Sequence, residues 1–405
     1  MADVRPFRAL RPRDDLAGDI IAPPYDVLSD AEARAEAVRP DSFIHITRAE
    51  VDLPLGTDAH GDVCYAKARE NLDAWRANGR MILDQQPTYY LYGQVMGEHR
   101  QVGVLAACSV DEYDRGIIKK HEFTRPDKED DRTKHMECLD AQVGLVFLAH
   151  RAHAGLAAIV ADATKAPAAW HVTTDDGVEH KLWVCPQALV EPIRQAFAEL
   201  PALYVADGHH RSAAASRVFA HRRDDASSTF IVGLFPDNAL QVMAYNRVVH
   251  DLNGHSEAEF LQAVRQDFQI DPGEPVPDQR GVFSMYLDGA WYRLRPRPGL
   301  VDPTDPVASL DASMLQDHLL APILGIADPR RSDRISFVGG IRGSDALSAP
   351  VDQGRAAVAF HLFPTGLDQL FSVADAGHVM PPKSTWFEPK LREGVAIRGL
   401  AAIDN

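Results

Sequence analysis

Chemistry concentrates first at Leu203-Tyr204-Val205-Ala206-Asp207-Gly208-His209-His210-Arg211-Ser212-Ala213-Ala214-Ala215, a short apolar run that passes into an Ala-rich one. The pattern predicts a strand entering a helix, with Asp207 and Gly208 at the junction. Backbone N–H groups in the first turn of a helix have no partner inside it, and the macrodipole adds a positive field, so such a corner cradles anions. Gly208 lets the backbone come close to a phosphate. His209, His210 and Arg211 add donors for phosphoryl oxygens, Arg211 with a bidentate fork. A plainer account makes Asp207 an N-cap and the histidine pair a solvated first turn. No metal site is expected here, because neighbouring helical side chains diverge by about 100°.

The second cluster runs from Lys119 to Arg132. His121-Glu122 opens like a zincin motif, but Arg125 stands where the second histidine belongs, so that chemistry fails. Glu122, set among cations, suits a general base, Lys128 and Arg132 suit an anion, and Asp131 suits a metal or an amine. A solvated charged loop is the alternative. The third cluster, Gly377 to Thr385, ends in Lys-Ser like a Walker A loop. Pro382 replaces the second glycine and removes an N–H that a phosphate would use, so this is not a P-loop. There remains either a loop presenting Lys383, Ser384 and Thr385 to an anion or an ordered surface loop. Ile20-Ile21-Ala22-Pro23-Pro24 predicts a rigid extended segment ending at Tyr25 and Asp26. The Gly339-Gly340-x-x-Gly343 run reads as a tight strand exit.

The elements that must position these clusters are legible. Hairpins are expected at Tyr89–Met96 with Gln101–Val110, at Ala169–Thr174 with Val178–Val184, and at Val282–Leu287 with Trp291–Leu294. The last two turn on Asp-Gly, which suits the positive φ angles of a type I′ turn. Helices are expected at Asp62–Asn78, Ala188–Glu199, His209–Arg222 and Glu257–Asp267. Further strands are expected at Phe230–Phe235, Ile335–Val338 and Ala356–Phe363. Hairpins mixed with helices argue for an α+β fold with mixed, hairpin-rich sheets, not a doubly wound parallel sheet. The expected division is residues 1–250 as a core holding the Asp207–Arg211 corner and 251–405 as a second α+β part holding the Lys383 loop. Asp271–Val276 and Pro296–Pro306 are the expected seams.

At 405 residues, with 45% hydrophobic and 25% charged residues, the chain is of globular type. Its net charge of −16 argues against a nucleic-acid face or an anionic membrane surface. Against that background Leu203–Arg223 holds four arginines and one acid, and Val379–Arg392 holds three cations and one acid. The expectation is a basic pocket in an acidic surface. No run reaches the ~18 apolar residues of a membrane span, and no secretion signal is evident at the N-terminus. The four scattered cysteines suggest neither disulfides nor zinc. A cytoplasmic location is expected.

Taken in order, Ala22-Pro23-Pro24-Tyr25-Asp26-Val27, His121-Glu122-x-Thr124 with Lys128 and Asp131-Arg132, Ala206 to Arg211, and Met380-Pro381-Pro382-Lys383-Ser384-Thr385-x-Phe387-x-Pro389-Lys390 resemble the bacterial family of unknown function numbered 1015. The Asp207–Arg211 box also resembles the phosphate-binding corner of the ParB/sulfiredoxin-like superfamily, which includes kinases of free L-serine. His209 stands where sulfiredoxin needs a cysteine, so sulfinic-acid repair is not implied. The resemblance implies phosphoryl transfer from ATP or ADP, with Mg²⁺, to a small hydroxylated metabolite, free serine first. On this reading Asp207 to Arg211, Lys383, Ser384 and Thr385 bind phosphate or nucleotide. Glu122, His209 and His210 are catalytic, with Glu122 the base by analogy with the free serine kinases. Tyr25, Asp26, Lys128, Asp131 and Arg132 bind substrate. A phosphoserine phosphatase and a non-enzymatic nucleotide-binding regulator are the alternatives. The expected partners are a nucleotide and a small phosphometabolite, and the oligomeric state stays open.

Overall fold

The computed structural model describes residues 2–400. It divides the chain into two units. Of the described residues, the first comprises 2–120, Thr124–Leu240 and 389–400; the second comprises His121–Phe123 and Gln241–Glu388. The division falls at Leu240/Gln241, ten residues before the 250/251 boundary expected from sequence, and the end of the chain returns to the first unit.

A nine-stranded mixed sheet forms the first unit's centre. Its order is Ile118–Lys119, Leu203–Asp207, Val146–His150, Thr229–Pro236, His99–Ser109, Tyr90–Met96, Glu179–Val184 and Trp170–Thr173, with Val4–Arg5 added beside His99–Ser109. Two expected hairpins make the antiparallel side. Gly97 and Gly177, at φ 59° and 78°, supply left-handed backbone in their turns, but Asp176 is not in that region, so the turn between Thr173 and Glu179 is longer than the expected type I′ one. The other side contains two parallel pairings, Leu203–Asp207 with Ile118–Lys119 and Thr229–Pro236 with Val146–His150. Helices Asp62–Ala77, Pro126–Leu139, Val190–Ala198 and His209–Arg222 belong to this unit. Leu148, Val205, Val232, Phe197, Ala214 and Val218 are among its buried core residues. Pro126–Leu139 departs from the loop alternative for the charged run: Pro126 occupies the first turn, where its missing N–H costs nothing.

The second unit holds a fully antiparallel six-stranded sheet in the order Phe268–Pro272, Ala290–Pro296, Phe283–Leu287, Val358–His361, Tyr245–Val249 and Ile335–Gly339. Asp288 and Gly289, at φ 47° and 74°, make the expected type I′ turn. Helix Glu257–Asp267 starts with a capping box between Ser256 and Glu259. Phe260, Phe268, Phe283, Met285 and Phe360 fill the core. Both units confirm the α+β class. The Asp271–Val276 and Pro296–Pro306 segments are not seams, because both lie inside the second unit.

Candidate functional site

Strand Leu203–Asp207 and helix His209–Arg222 meet at Gly208, as the sequence predicts. Gly208 has φ 91°, and a Cβ there would lie 3.4 Å from the Val146 Cα. Asp207 does not cap the helix turn in the usual way. One carboxylate oxygen accepts the Gly208 N–H at 2.7 Å, and the other accepts the Lys390 ammonium at 2.8 Å. Burial alone would raise the Asp207 carboxyl, but Lys390 and Arg211 outweigh it and hold it well below the ordinary range. His209 is buried. His210 accepts the Arg125 backbone N–H at Nε2, 3.1 Å away, which fixes the unprotonated nitrogen and a neutral ring.

Arg211 reaches back toward Gly144 and Leu145. Its guanidinium donates to the Leu145 carbonyl, and one terminal nitrogen lies 3.8 Å from Asp26. Its Nε is buried with no hydrogen-bond partner. Gly144 leaves the room: a Cβ there would sit 3.1 Å from the Arg211 Cδ. Arg132 comes in from helix Pro126–Leu139, with its guanidinium 4.2 Å from the centre of the Tyr25 ring; that of Arg211 lies 5.7 Å from the same ring. Burial pushes the Tyr25 hydroxyl up to about 12.

Asp131 is engaged with three side chains. Its carboxylate accepts the Tyr65 hydroxyl and the His60 ring on one oxygen, both at 2.8 Å, and the Arg132 Nε on the other at 2.8 Å. With only 4% of its side chain exposed, it orients Arg132. Lys128 stands one turn earlier on the same helix, half-buried, and is not among the residues lining the cavity described next.

Tyr25, Thr47, Arg132, Gly144, Arg211 and Glu393 line a cavity whose floor is apolar, with Met136, Val143, Val146 and Ile231. The empty space, mouth included, is about 470 Å³. Glu393 was not anticipated. It is 3% exposed, and its backbone pairs with Ala22 in both directions, Glu393 N–H to Ala22 O at 2.9 Å and Ala22 N–H to Glu393 O at 3.1 Å. The extended Ala22-Pro23-Pro24 segment is thus stitched to the end of the chain. Glu393 Oε2 is buried without a hydrogen-bond partner. Burial raises its carboxyl to about 7, even though Arg211, Thr47 and Arg132 pull it down. A lone glutamate in Arg392-Glu393-Gly394 has no motif around it; the basic stretch just before it was the nearest signal.

The remaining expected residues belong to the second unit. Glu122 follows buried His121, whose carbonyl accepts the Met380 N–H at 2.8 Å, so this short segment and the Met380 loop are joined there. Lys383 is exposed, at φ 60°, with its ammonium 5.5 Å from the Tyr245 ring. Ser384 is buried; its hydroxyl donates to Pro381 O at 2.7 Å, and its carbonyl accepts Thr365 Oγ1 at 2.8 Å. That hydroxyl closes the loop on itself. Thr385 is half-buried and leads into strand Trp386–Glu388 instead of a helix, in keeping with the exclusion of a P-loop.

Among the described residues, no helix is long and apolar enough to cross a membrane. No protein of curated function matches the sequence. Three solved structures illustrate the structural similarity. One is SbnI with a C-terminal truncation from Staphylococcus aureus, at 11% identity and TM-score 0.41, covering 74% of this chain and 90% of that one. Another is a conserved hypothetical protein from Pyrococcus furiosus, at 10% identity and TM-score 0.35, covering 70% and 90%. A third is a free serine kinase in complex with AMP, at 10% identity and TM-score 0.35, covering 70% and 86%. A family model matches residues 4–313, which takes in the Ala22–Val27, His121–Arg132 and Ala206–Arg211 stretches and ends before Met380. On that match, over most of its length, the chain belongs to the family described as "Protein of unknown function (DUF1015)".

Proposed function

We propose that the first unit binds a phosphorylated ligand at the Asp207–Arg211 corner and transfers a phosphoryl group between a nucleotide and a small hydroxylated metabolite. Free L-serine is the acceptor the family resemblance favours. One observation supports this most. A buried donor without a partner, Arg211 Nε–H, and a buried acceptor without one, Glu393 Oε2, belong to two residues that line the same cavity as Arg132. Buried polar groups are normally paired, so a cavity holding one of each sign suits a ligand that supplies both an oxyanion and a hydroxyl or ammonium.

Phosphoryl transfer asks a protein chiefly for positioning and charge neutralisation. On this reading the backbone N–H groups of His209 and His210 and the guanidinium of Arg211 take phosphoryl oxygens, since the Arg211 and Ser212 N–H groups already donate to the Gly208 carbonyl. Arg132, held by Asp131, adds a second cation. For the base we favour Glu393 over Glu122. Glu393 lines the cavity, and a carboxyl near 7 is matched to taking a hydroxyl proton at neutral pH. His210, neutral and bonded to Arg125, would position the corner without adding charge. Mg²⁺, when bound, would screen the phosphates; Asp26, 46% exposed and 3.8 Å from Arg211, is the carboxylate in this unit suited to hold it. Run in reverse with water as acceptor, the same groups would hydrolyse phosphoserine.

A thermal-shift titration of the full chain with ATP, ADP, pyrophosphate, serine and phosphoserine, with and without Mg²⁺, tests the reading. Stabilisation by a phosphate ligand is expected. Arg211→Met should weaken it about 10- to 100-fold, as expected for loss of a charge-assisted hydrogen bond of ~1.5–3 kcal/mol. No stabilisation by any phosphate ligand would refute the proposal. A nucleotide that binds tightly with no phosphoryl transfer in either direction would leave a sensor in place of an enzyme.

A further inference from the structure

The second unit contains a buried cation with no counter-ion. Arg247 lies on strand Tyr245–Val249 and is 3% exposed. Its guanidinium donates to the Tyr245 carbonyl and, at 3.4 Å, to the Pro382 carbonyl, and it lies 4.9 Å from the centre of the Phe337 ring. Phe337 stands directly opposite it on the neighbouring strand. Among the described residues no acid pairs with it. Burial lowers its pKa to about 10, which still leaves it charged at neutral pH.

Two carbonyls and an aromatic face satisfy some of a guanidinium's five N–H groups, but they do not neutralise it. Burying an unpaired ion is costly, and cations held this way normally meet an acid or a bound anion. The surroundings are built tightly. Tyr245 shares Arg247's face of the strand and packs edge-on against Trp386, 5.0 Å between ring centres. Trp386 in turn lies over Gly339, where a Cβ would fall 2.6 Å from the indole. The loop whose Pro382 carbonyl accepts from Arg247 places Lys383 next, in the left-handed region, with its ammonium over the Tyr245 ring.

We infer that Arg247, with Lys383 on the adjoining loop, forms a second oxyanion site in this protein, one that takes the phosphoryl or carboxylate group of a small ligand. The inference does not depend on the Arg211 cavity. The planar fork of Arg247 supplies the directional bonds and Lys383 the second charge.

Equilibrium dialysis of the full chain against radiolabelled inorganic phosphate, at fixed ionic strength, separates the two sites. Wild type should bind two equivalents, Arg247→Met one and Arg211→Met one. Unlabelled malonate added at the Arg247 site distinguishes the two sources: displacement assigns a carboxylate ligand, and its absence a phosphoryl one. If wild type binds a single equivalent lost only in Arg247→Met, this site stands and the Arg211 reading falls. If Arg247→Met binds as much phosphate as wild type, the site is refuted and the Arg211 reading is untouched. Should Arg247→Met fail to fold, by circular dichroism, Arg247→Lys decides. A point charge in place of the fork should weaken the second equivalent at least several-fold, and unchanged binding would refute the site.

Discussion

Replacing Glu393 by glutamine gives the sharpest test of the cavity. Glutamine keeps the shape of the side chain and never ionises. In the folded protein the Glu393 carboxyl lies at about 7, against an ordinary 4.5, because burial disfavours its charge more than Arg211, Thr47 and Arg132 favour it. The folded state therefore holds this proton more tightly than the unfolded chain does. Its contribution to stability is fully present below about pH 4.5 and is lost as pH rises through about 7. The gap between 4.5 and about 7 corresponds to ~3 kcal/mol once the group is ionised in both states. Urea denaturation of wild type and Glu393→Gln from pH 4.5 to 8.5 reads it directly. The two proteins should nearly coincide at the acid end, and the variant should be about 3 kcal/mol more stable at the alkaline end. Parallel profiles would show that Glu393 ionises as an ordinary surface carboxylate, and the assignment of a proton acceptor near neutrality would fall with them. If it serves as the base, the same substitution abolishes turnover while leaving phosphate-ligand affinity near that of wild type.

Two further outcomes follow from the corner and its support. Gly208→Ala forces a side chain into φ 91° with the Val146 Cα 3.4 Å from the new Cβ; a loss of ~1–2 kcal/mol in unfolding free energy, with weaker phosphate-ligand binding, is expected. A neutral effect on both would show that the close approach is not needed. Asp131→Asn removes the buried charge that holds half-buried Arg132, and should cost ~3 kcal/mol by urea denaturation. Tyr65→Phe, which deletes one hydrogen bond to the same carboxylate, should cost only ~1 kcal/mol, and equal losses from the two would contradict this division of roles.

What the sequence determined was local. Asp-Gly turns, the glycine before an Ala-rich run and the Ser256-Glu259 capping box act through backbone sterics and hydrogen bonds over a few residues, so they placed hairpins, the Gly208 corner and helix Glu257–Asp267 close to where they stand. Family membership was legible for the same reason, through short ordered motifs. Whether a charged side chain is a ligand group or a strut was not legible. Asp131 and Lys128 looked alike as candidates, and only packing makes Asp131 a buried support for Arg132 while Lys128 stays off the cavity. Glu393 and Arg247 carried no motif at all. Their chemistry arises from burial: the same carboxyl in water is an ordinary acid, and the same guanidinium an ordinary surface cation. Burial is set by which distant segments meet, here Ala22 with Glu393 and Arg247 with Phe337 and Pro382, and that is a property of the tertiary fold alone.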